Sequence, residues 1–274
     1  MADPTRRRGR PRKPALEAPA TVQALDRALD LLDLLSARPG LTLSEVAEHS
    51  GQPPSTVHRV LHTLATRGMV ESDPSTQAWN IGPATFRLGS AFMRRSGLVE
   101  RARPILRSLM EHTGETANLG ILQGETVLFL SQVETQETIR AFFPPGTRSP
   151  LHASGIGKAL LAFGRPELLD ALIEGPGLSR FTDSTLIDRS DLMADLARIR
   201  HRGFSLDDEE RTRGMRCIAA PVFDLSGEAM AGISVSGPSH RIGMEHIKTL
   251  GATVVAAAQD LSEALGAAPA ETRR

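Results

Sequence analysis

At 274 residues the chain is longer than one average domain and predicts two. A hydrophobic share of 40% and a charged share of 23% fit a soluble globular protein. No apolar run approaches the roughly 18 residues of a membrane-spanning helix, and the one cysteine, Cys217, excludes an internal disulfide and suits a reducing cytoplasm. The formal net charge is zero, which hides an asymmetry: residues 1–13 carry six cations against Asp3 (net +5), while residues 14–82 carry four Arg against eight acids (net −4).

The chain opens on MADPTRRRGRPRKP, basic but with no apolar stretch behind it, so it does not read as a secretory signal. Residues 1–20 are rich in Pro, Ala and Arg without periodicity and are expected to be a disordered basic arm. Gly9 and Pro11 keep the backbone around Arg8 and Arg10 narrow, so that both guanidiniums can enter an A·T-rich minor groove; the segment resembles an AT-hook core. The plainer alternative is a tail that only attracts phosphate.

From Thr21 a helix is predicted, with Val22, Leu25, Leu29, Leu32 and Leu35 on one face, stopped at Pro39-Gly40. Thr42 and Glu45 have capping-box spacing for a short helix ending at Gly51, and Pro53-Pro54 suit the start of the next. In that next helix Val57, Val60, Leu61 and Leu64 must face a core. At 100° per residue the outer side is then Ser55, Arg59, His62 and Thr66, with Thr56 and His58 beside them as further candidate DNA contacts. Short helix, tight turn and a helix with a polar, cationic outer face is the helix-turn-helix pattern, and Arg59 can fork onto guanine. MVESDPSTQAWNIG then reads as a two-stranded wing, closing a DNA-binding domain over 21–82.

A linker helix is predicted over 83–97, and a second domain over 98–268 with a tail at 269–274. Strands are expected at 116–122, 126–133, 138–143, 216–223 and 230–236, and helices at 155–163, 166–174, 189–202 and 243–265. Short turns such as Gln123-Gly124 and Ser226-Gly227 predict an antiparallel sheet, and the fold class is α+β.

The run Leu151–Lys158 invites a phosphate-loop reading that fails, because His152 stands where the first Gly is needed and Ala159 where Ser or Thr is needed. What remains is a Gly-rich turn opening a helix, whose free amides can hold one carboxylate. Ser234 and Ser236 lie two apart on one strand, hence on one face, and Cys217 stands on another apolar strand. A nucleophile built from Cys217 and His152, or a metal site from His152, Asp207 and Cys217, has the residue types but not the spacing, and neither a catalytic residue nor a metal ligand is assigned.

Taken together, STVHRVLHTLATRGMV, SPLHASGIGKALLA, RGFSLDDEERTRGMRCIAAPVFD and ISVSGPSHRI resemble the IclR family of bacterial regulators over about Val22 to Gly266, closest to its glyoxylate-responsive branch. The resemblance implies a transcription regulator that is not an enzyme and needs no cofactor. It implies a winged helix-turn-helix, a GAF-like α/β effector domain, and dimers formed through the DNA-binding and linker segments that pair into tetramers. The partners implied are double-stranded operator DNA and a small 2-oxo acid, glyoxylate first and pyruvate second, in the cytoplasm and away from any membrane. Positions matching the family's acid contacts are Gly155 and Ile156 by their amides, Asp207, Cys217, Ser234 and Ser236, with Met215 on the apolar wall. Two departures bear on ligand size: Ile156 replaces a usual small residue, and Ile139-Arg140-Ala141-Phe142 replaces a Met-rich stretch. Rival readings are an enzyme acting on a small oxo acid with a DNA-binding appendage, and an architectural DNA-binding protein without a ligand.

Overall fold

The structure is a computed structural model and describes residues 22–267. The predicted arm with Arg8 and Arg10, residue Thr21 and the tail from 269 lie outside the described residues. Contacts divide the chain into two compact units, with the boundary between Phe92 and Met93.

The first unit is built from α1 (Gln23–Ala37), α2 (Leu43–Ser50), α3 (Pro54–Thr66) and a hairpin of β1 (Val70–Ser72) and β2 (Trp79–Ile81). Thr42 caps α2 as its spacing predicts: the Glu45 N–H donates to Thr42 Oγ1 (3.4 Å), and the Thr42 N–H donates back to Glu45 Oε2 (2.8 Å). Gly51 ends α2 in the left-handed region (φ 63°), Pro53 caps α3, and Pro54 is its first residue. At the hairpin tip Asp73 Oδ1 accepts from the Ser75 N–H (2.7 Å) and hydroxyl (2.6 Å), which folds the turn without help from the rest of the unit.

The core of this unit is Leu31, Leu35, Val46, Val57, Leu61, Leu64 and Val70. The apolar face read along α1 packs only at its C-terminal end. Leu31 and Leu35 are the fully buried positions, while Val22, Leu25 and Leu29 are 66%, 58% and 50% exposed. The Leu-rich sequence 29–35 carries apolar residues around much of the helix, so one stripe packs inward and another is left outside. Helix α4 (Pro83–Ser96) follows the hairpin and crosses the boundary between the units.

The second unit opens with α5 (Leu98–Thr113), then β3 (Thr116–Gln123), β4 (Thr126–Val133), β5 (Arg148–Pro150), α6 (Gly155–Phe163), α7 (Pro166–Glu174) and α8 (Arg189–Arg202). It closes with β6 (Ser205–Asp208), β7 (Met215–Phe223), β8 (Ala229–Pro238) and α9 (Ile247–Ala264). The six strands form one antiparallel sheet in the order β5-β4-β3-β8-β7-β6. Strict alternation gives the sheet two chemistries. One face presents Ala117, Leu119, Ile218, Ala220, Val222, Ile233 and Val235 to Leu106 of α5 and to Val254 and Leu261 of α9 in a wholly apolar core. The opposite face, toward α6, carries the polar residues described below.

Three expectations change. No strand forms at 138–143; the edge of β4 is taken instead by the segment leading into β5, where the Phe129 N–H donates to the Thr147 carbonyl and the Gly146 N–H to that of Phe129. Ile139 and Phe142 are left 64% and 62% exposed. Strand β6 has no counterpart among the expected strands, because the acidic run Asp207-Asp208-Glu209-Glu210, whose first two residues end it, reads as a solvated turn. The last helix starts at Ile247, after a 3₁₀ turn over Met244–His246.

Candidate functional site

Two surfaces concentrate chemistry, and each is described within its own unit. On α3 the buried stripe Val57, Leu61 and Leu64 fixes the outer face, and Ser55, His58, Arg59, His62 and Thr66 are exposed, with Thr56 and Val60 half-buried. Thr63 and Thr66 spend their hydroxyls on helix carbonyls (Arg59 O at 2.8 Å, Thr63 O at 2.7 Å), which leaves Thr66 less able to serve an outside partner. The His58 and His62 rings lie parallel, one turn apart, with centroids 6.4 Å apart. Among the described residues Arg59 has no ion pair, and a groove of about 450 Å³ between α1 and α3 brings it alongside Arg27. Arg27 was not singled out in the sequence, since it stands on a different helix.

The second site lies where β6, β7, β8 and β3 run side by side under the N-terminus of α6. Pairing places Asp207 opposite Cys217, Cys217 opposite Ser236, and Ser236 opposite Thr116; the next row pairs Ser205 with Ala219, Ala219 with Ser234, and Ser234 with Asn118. Opposed residues of antiparallel strands share a face, so four strands contribute polar side chains to one patch. Asn118 Nδ2 donates to Ser234 Oγ and Ser236 Oγ (both 3.4 Å), and Gln132 Nε2 donates to Asn118 Oδ1 (3.0 Å). Asn118, Ser205, Asp207, Ser234 and Ser236 are all buried. Met215, half-buried, shares the face two residues before Cys217.

Above this patch Ser154 caps α6, accepting from the Gly157 N–H at 3.2 Å. Gly155 rests directly on Cys217: a Cβ there would stand 2.6 Å from Sγ, so the backbone comes closer to the sheet than any other residue type permits. Ser205 Oγ donates to the Gly155 carbonyl (2.6 Å) and ties the helix start to β6. Ile156 fits because Gly232 beneath it has no side chain; a Cβ there would meet Ile156 Cγ2 at 2.8 Å.

Electrostatics fix what these groups can do. Burial, and then the neighbouring Asp207, push the Cys217 thiol up to about 11, so it is a neutral donor and not a thiolate nucleophile. His152 does not activate it, since its Nε2 donates to the Ser179 carbonyl (2.9 Å) and burial lowers its pKa. Burial raises Asp207 to about 6, against the pull of Lys158 and of the Glu210 and Arg211 N–H groups that its Oδ1 accepts. Among the described residues no cluster of His, Cys, Asp or Glu is arranged to hold a metal ion. The arrangement offers helix-terminal amides for a carboxylate, and hydroxyls, an amide, a thiol and a titratable acid for a neighbouring oxygen.

Sequence reading missed Asn118 and Gln132. They stand in strands whose remaining residues are mostly apolar or small, and only the register, with partners more than 100 residues away for Asn118, reveals their place. The signal available was a polar residue at a period-2 position of a strand buried on both faces.

Comparison with known proteins matches residues 24–74 to the IclR helix-turn-helix domain and residues 90–263 to the bacterial transcriptional regulator IclR C-terminal domain. The chain is 62% identical to the HTH-type transcriptional regulator BhcR of Paracoccus denitrificans over 273 residues, covering 98% of this chain and 97% of that protein. It is 41% identical to the transcriptional repressor IclR of Escherichia coli, covering 94% and 96%. Among solved structures, that of Thermotoga maritima IclR aligns with a TM-score of 0.74 at 28% identity, over 89% of this chain and 99% of the other.

Proposed function

The chain belongs to the IclR family of bacterial transcriptional regulators, and from that premise we propose that the buried polar patch under α6 seats a small 2-oxo acid, glyoxylate before pyruvate, which controls how α3 reads an operator. That the protein is a sequence-specific DNA-binding regulator and not an enzyme follows from its family. The residues, the acid and the route between them are the proposal.

The observation that carries it is the close approach of Gly155 to Cys217 above Asp207, Ser234, Ser236 and Asn118. These buried groups are already bonded within the fold, and the Ser234 and Ser236 hydroxyls keep further donor and acceptor capacity that a small polar ligand can use. The acid's carboxylate accepts from the Gly155 and Ile156 amides, and its second carbonyl, or the hydrate formed from it, meets Ser234, Ser236 and Cys217. Asp207 closes the far side and Met215 the apolar wall. Because the Ile156 side chain fills the space over Gly232 beside the amides, the seat favours a two-carbon acid.

On the DNA side Ser55, Thr56, His58, Arg59 and His62 are the proposed contacts, with Arg59 reading a base edge and the others positioning the helix. Arg8 and Arg10 of the arm follow the adjacent minor groove. The exposed apolar residues Val22, Leu25 and Leu29 of α1, and Phe86 and Leu88 of α4, supply a face for a second copy, consistent with a dimer and a dimer of dimers. Occupied and empty seats then favour two dimer arrangements that differ in the spacing of their α3 helices, since a ligand shifts an equilibrium only through its different affinity for the two states. Among the described residues no helix is long and apolar enough to cross a membrane, and the protein's place is on the nucleoid in the cytoplasm.

Titrating glyoxylate, then pyruvate and glycolate, into the protein–operator complex tests this. Saturable binding of one acid per chain with a change in operator affinity is expected, and glyoxylate acting at the lowest concentration. No heat and no change in occupancy with any of the three would remove the acid seat.

A further inference from the structure

Behind the polar patch lies a buried charge cluster that the seat itself leaves unused. Lys158, one turn into α6 from Gly155, is wholly buried, and its Nζ donates to Asp195 Oδ2 (2.8 Å), to the Leu206 carbonyl (2.6 Å) and to Glu210 Oε1. Glu210 is bonded in turn to the patch, since its N–H donates to Asp207 Oδ1 (2.8 Å). Its second oxygen, Oε2, is buried without a hydrogen-bond partner. One ammonium thus pins α6, α8, β6 and the 209–214 turn together.

The charges facing this cluster do not balance. Asp195 has a second cation, Arg198 of α8, at 3.2 Å from the solvent side, and Arg202 of the same helix lies over the Phe204 ring. Asp208 is answered by Arg216 of β7 at 2.6 Å. The Arg211 guanidinium is turned onto the Phe181 ring, 4.0 Å from its centroid. His152 before α6 is held neutral by burial, and the Cys217 thiol on β7 stays protonated. Lys158 is then the one cation hydrogen-bonded to Glu210 among the described residues, with Arg202 acting on Glu210 only at longer range, and Asp207 and Glu210 remain one carboxylate too many in a buried space. An acid arriving at the amides of α6 adds another negative charge, and buried charge without a counter-ion is expelled or neutralised.

We infer that the small acid binds together with about one proton, taken from solvent by the Asp207–Glu210 carboxyl pair, and that Lys158 is the positioning residue that holds this pair against the α6 N-terminus. The inference rests on the acid seat proposed above. The proton's place is the unpartnered Glu210 Oε2 or the Asp207 carboxyl beside it, which the Glu210 N–H ties to the same turn. The energetic setting agrees, since burial raises Asp207 to about 6 and Glu210 to about 7, Lys158 opposing both, so the pair changes protonation near neutrality. An anion placed beside them raises both further. The regulator therefore answers to acid and proton together, and its sensitivity falls as pH rises.

Calorimetric titration of the full-length protein with glyoxylate at pH 6, 7 and 8, each in buffers of different ionisation heat, counts the protons directly. The expected result is uptake of a substantial fraction of one proton per acid at pH 7 and 8, with affinity falling up to about tenfold per pH unit above 7. Glu210→Gln, which cannot ionise, is expected to lower the uptake and flatten the pH dependence, an effect that a merely structural role for Glu210 would not produce. If wild-type protein binds glyoxylate with no proton uptake and constant affinity from pH 6 to 8, or if Glu210→Gln takes up as many protons as wild type, the inference fails while the acid seat stands. If neither glyoxylate nor pyruvate binds at any pH, the seat itself is wrong and the inference falls with it.

Discussion

The two units place their polar chemistry on opposite sides of their surfaces. In the first, every functional candidate is outside: α3 buries Val57, Leu61 and Leu64 and turns Arg59, His58 and His62 to solvent, and no charged side chain is buried among the described residues of that unit. In the second, Lys158, Asp195, Asp207 and Glu210 are buried, and polar side chains from four strands face inward. A surface that reads a polyanion needs reach and solvent-exposed cations, whereas a seat for one small acid needs water excluded so that each hydrogen bond counts. The first arrangement is cheap to fold. The second ties its buried charges and hydroxyls into one bonded network, whose rearrangement around the proposed acid is what would shift a conformational balance.

The contrast can be broken from either side. The largest effect is expected from Ser234→Ala with Ser236→Ala. Losing two hydrogen bonds to a charged or strongly polar ligand, at about 1.5–3 kcal/mol each, should weaken glyoxylate binding by two to four orders of magnitude. Operator affinity without acid should be unchanged, as measured by calorimetry and fluorescence anisotropy on the same preparations. Next is Arg59→Ala, expected to weaken specific operator binding by about 1–3 kcal/mol while leaving acid binding intact; equal loss on random DNA would reassign Arg59 to phosphate contact.

Removing residues 1–13 should reduce the slope of log affinity against log salt by about 0.9 for each phosphate the arm neutralises, with a larger loss on A·T-rich flanks if Arg8 and Arg10 enter the groove. The smallest effect is in stability against pH. Asp207 and Glu210 titrate higher in the fold than their ordinary 3.8 and 4.5. Their favourable contribution is therefore complete below those values and is lost as pH rises through about 6 and 7. The melting transition of the second unit should fall between pH 5 and 8, that of the first should hardly move over this range, and Glu210→Gln should flatten the fall. Each kcal/mol corresponds to roughly 2–4 °C.

The same contrast explains what the sequence discloses. A helix that packs on one side exposes the other by geometry, so Val57, Leu61 and Leu64 suffice to find Arg59 and His62. The capping box at Thr42 is equally local. The proposed acid seat is assembled by sheet register, and the β3–β8 register, over 110 to 120 residues of chain, cannot be read from spacing. Ser234 and Ser236 are legible as a period-2 pair, but Asn118 and Gln132 become notable only when β3, β4 and β8 are side by side. Asp207 hides in the acidic run 207–210, which reads as a solvated turn, yet its first half ends strand β6 and three of its four acids are buried or ion-paired. Lys158 looks like a failed phosphate-loop lysine until Asp195 and Glu210, 37 and 52 residues away, close on it. The exposed stripe of α1 shows a different limit: periodicity finds an apolar face but does not say whether its partner is this chain or another copy.

The most direct test follows operator occupancy while glyoxylate is titrated into wild-type protein and into the Ser234→Ala, Ser236→Ala variant. The account predicts that the wild-type complex changes occupancy as one acid per chain binds, while the variant holds the same operator with wild-type affinity and ignores the acid. A variant that responds to glyoxylate as wild type does would contradict it.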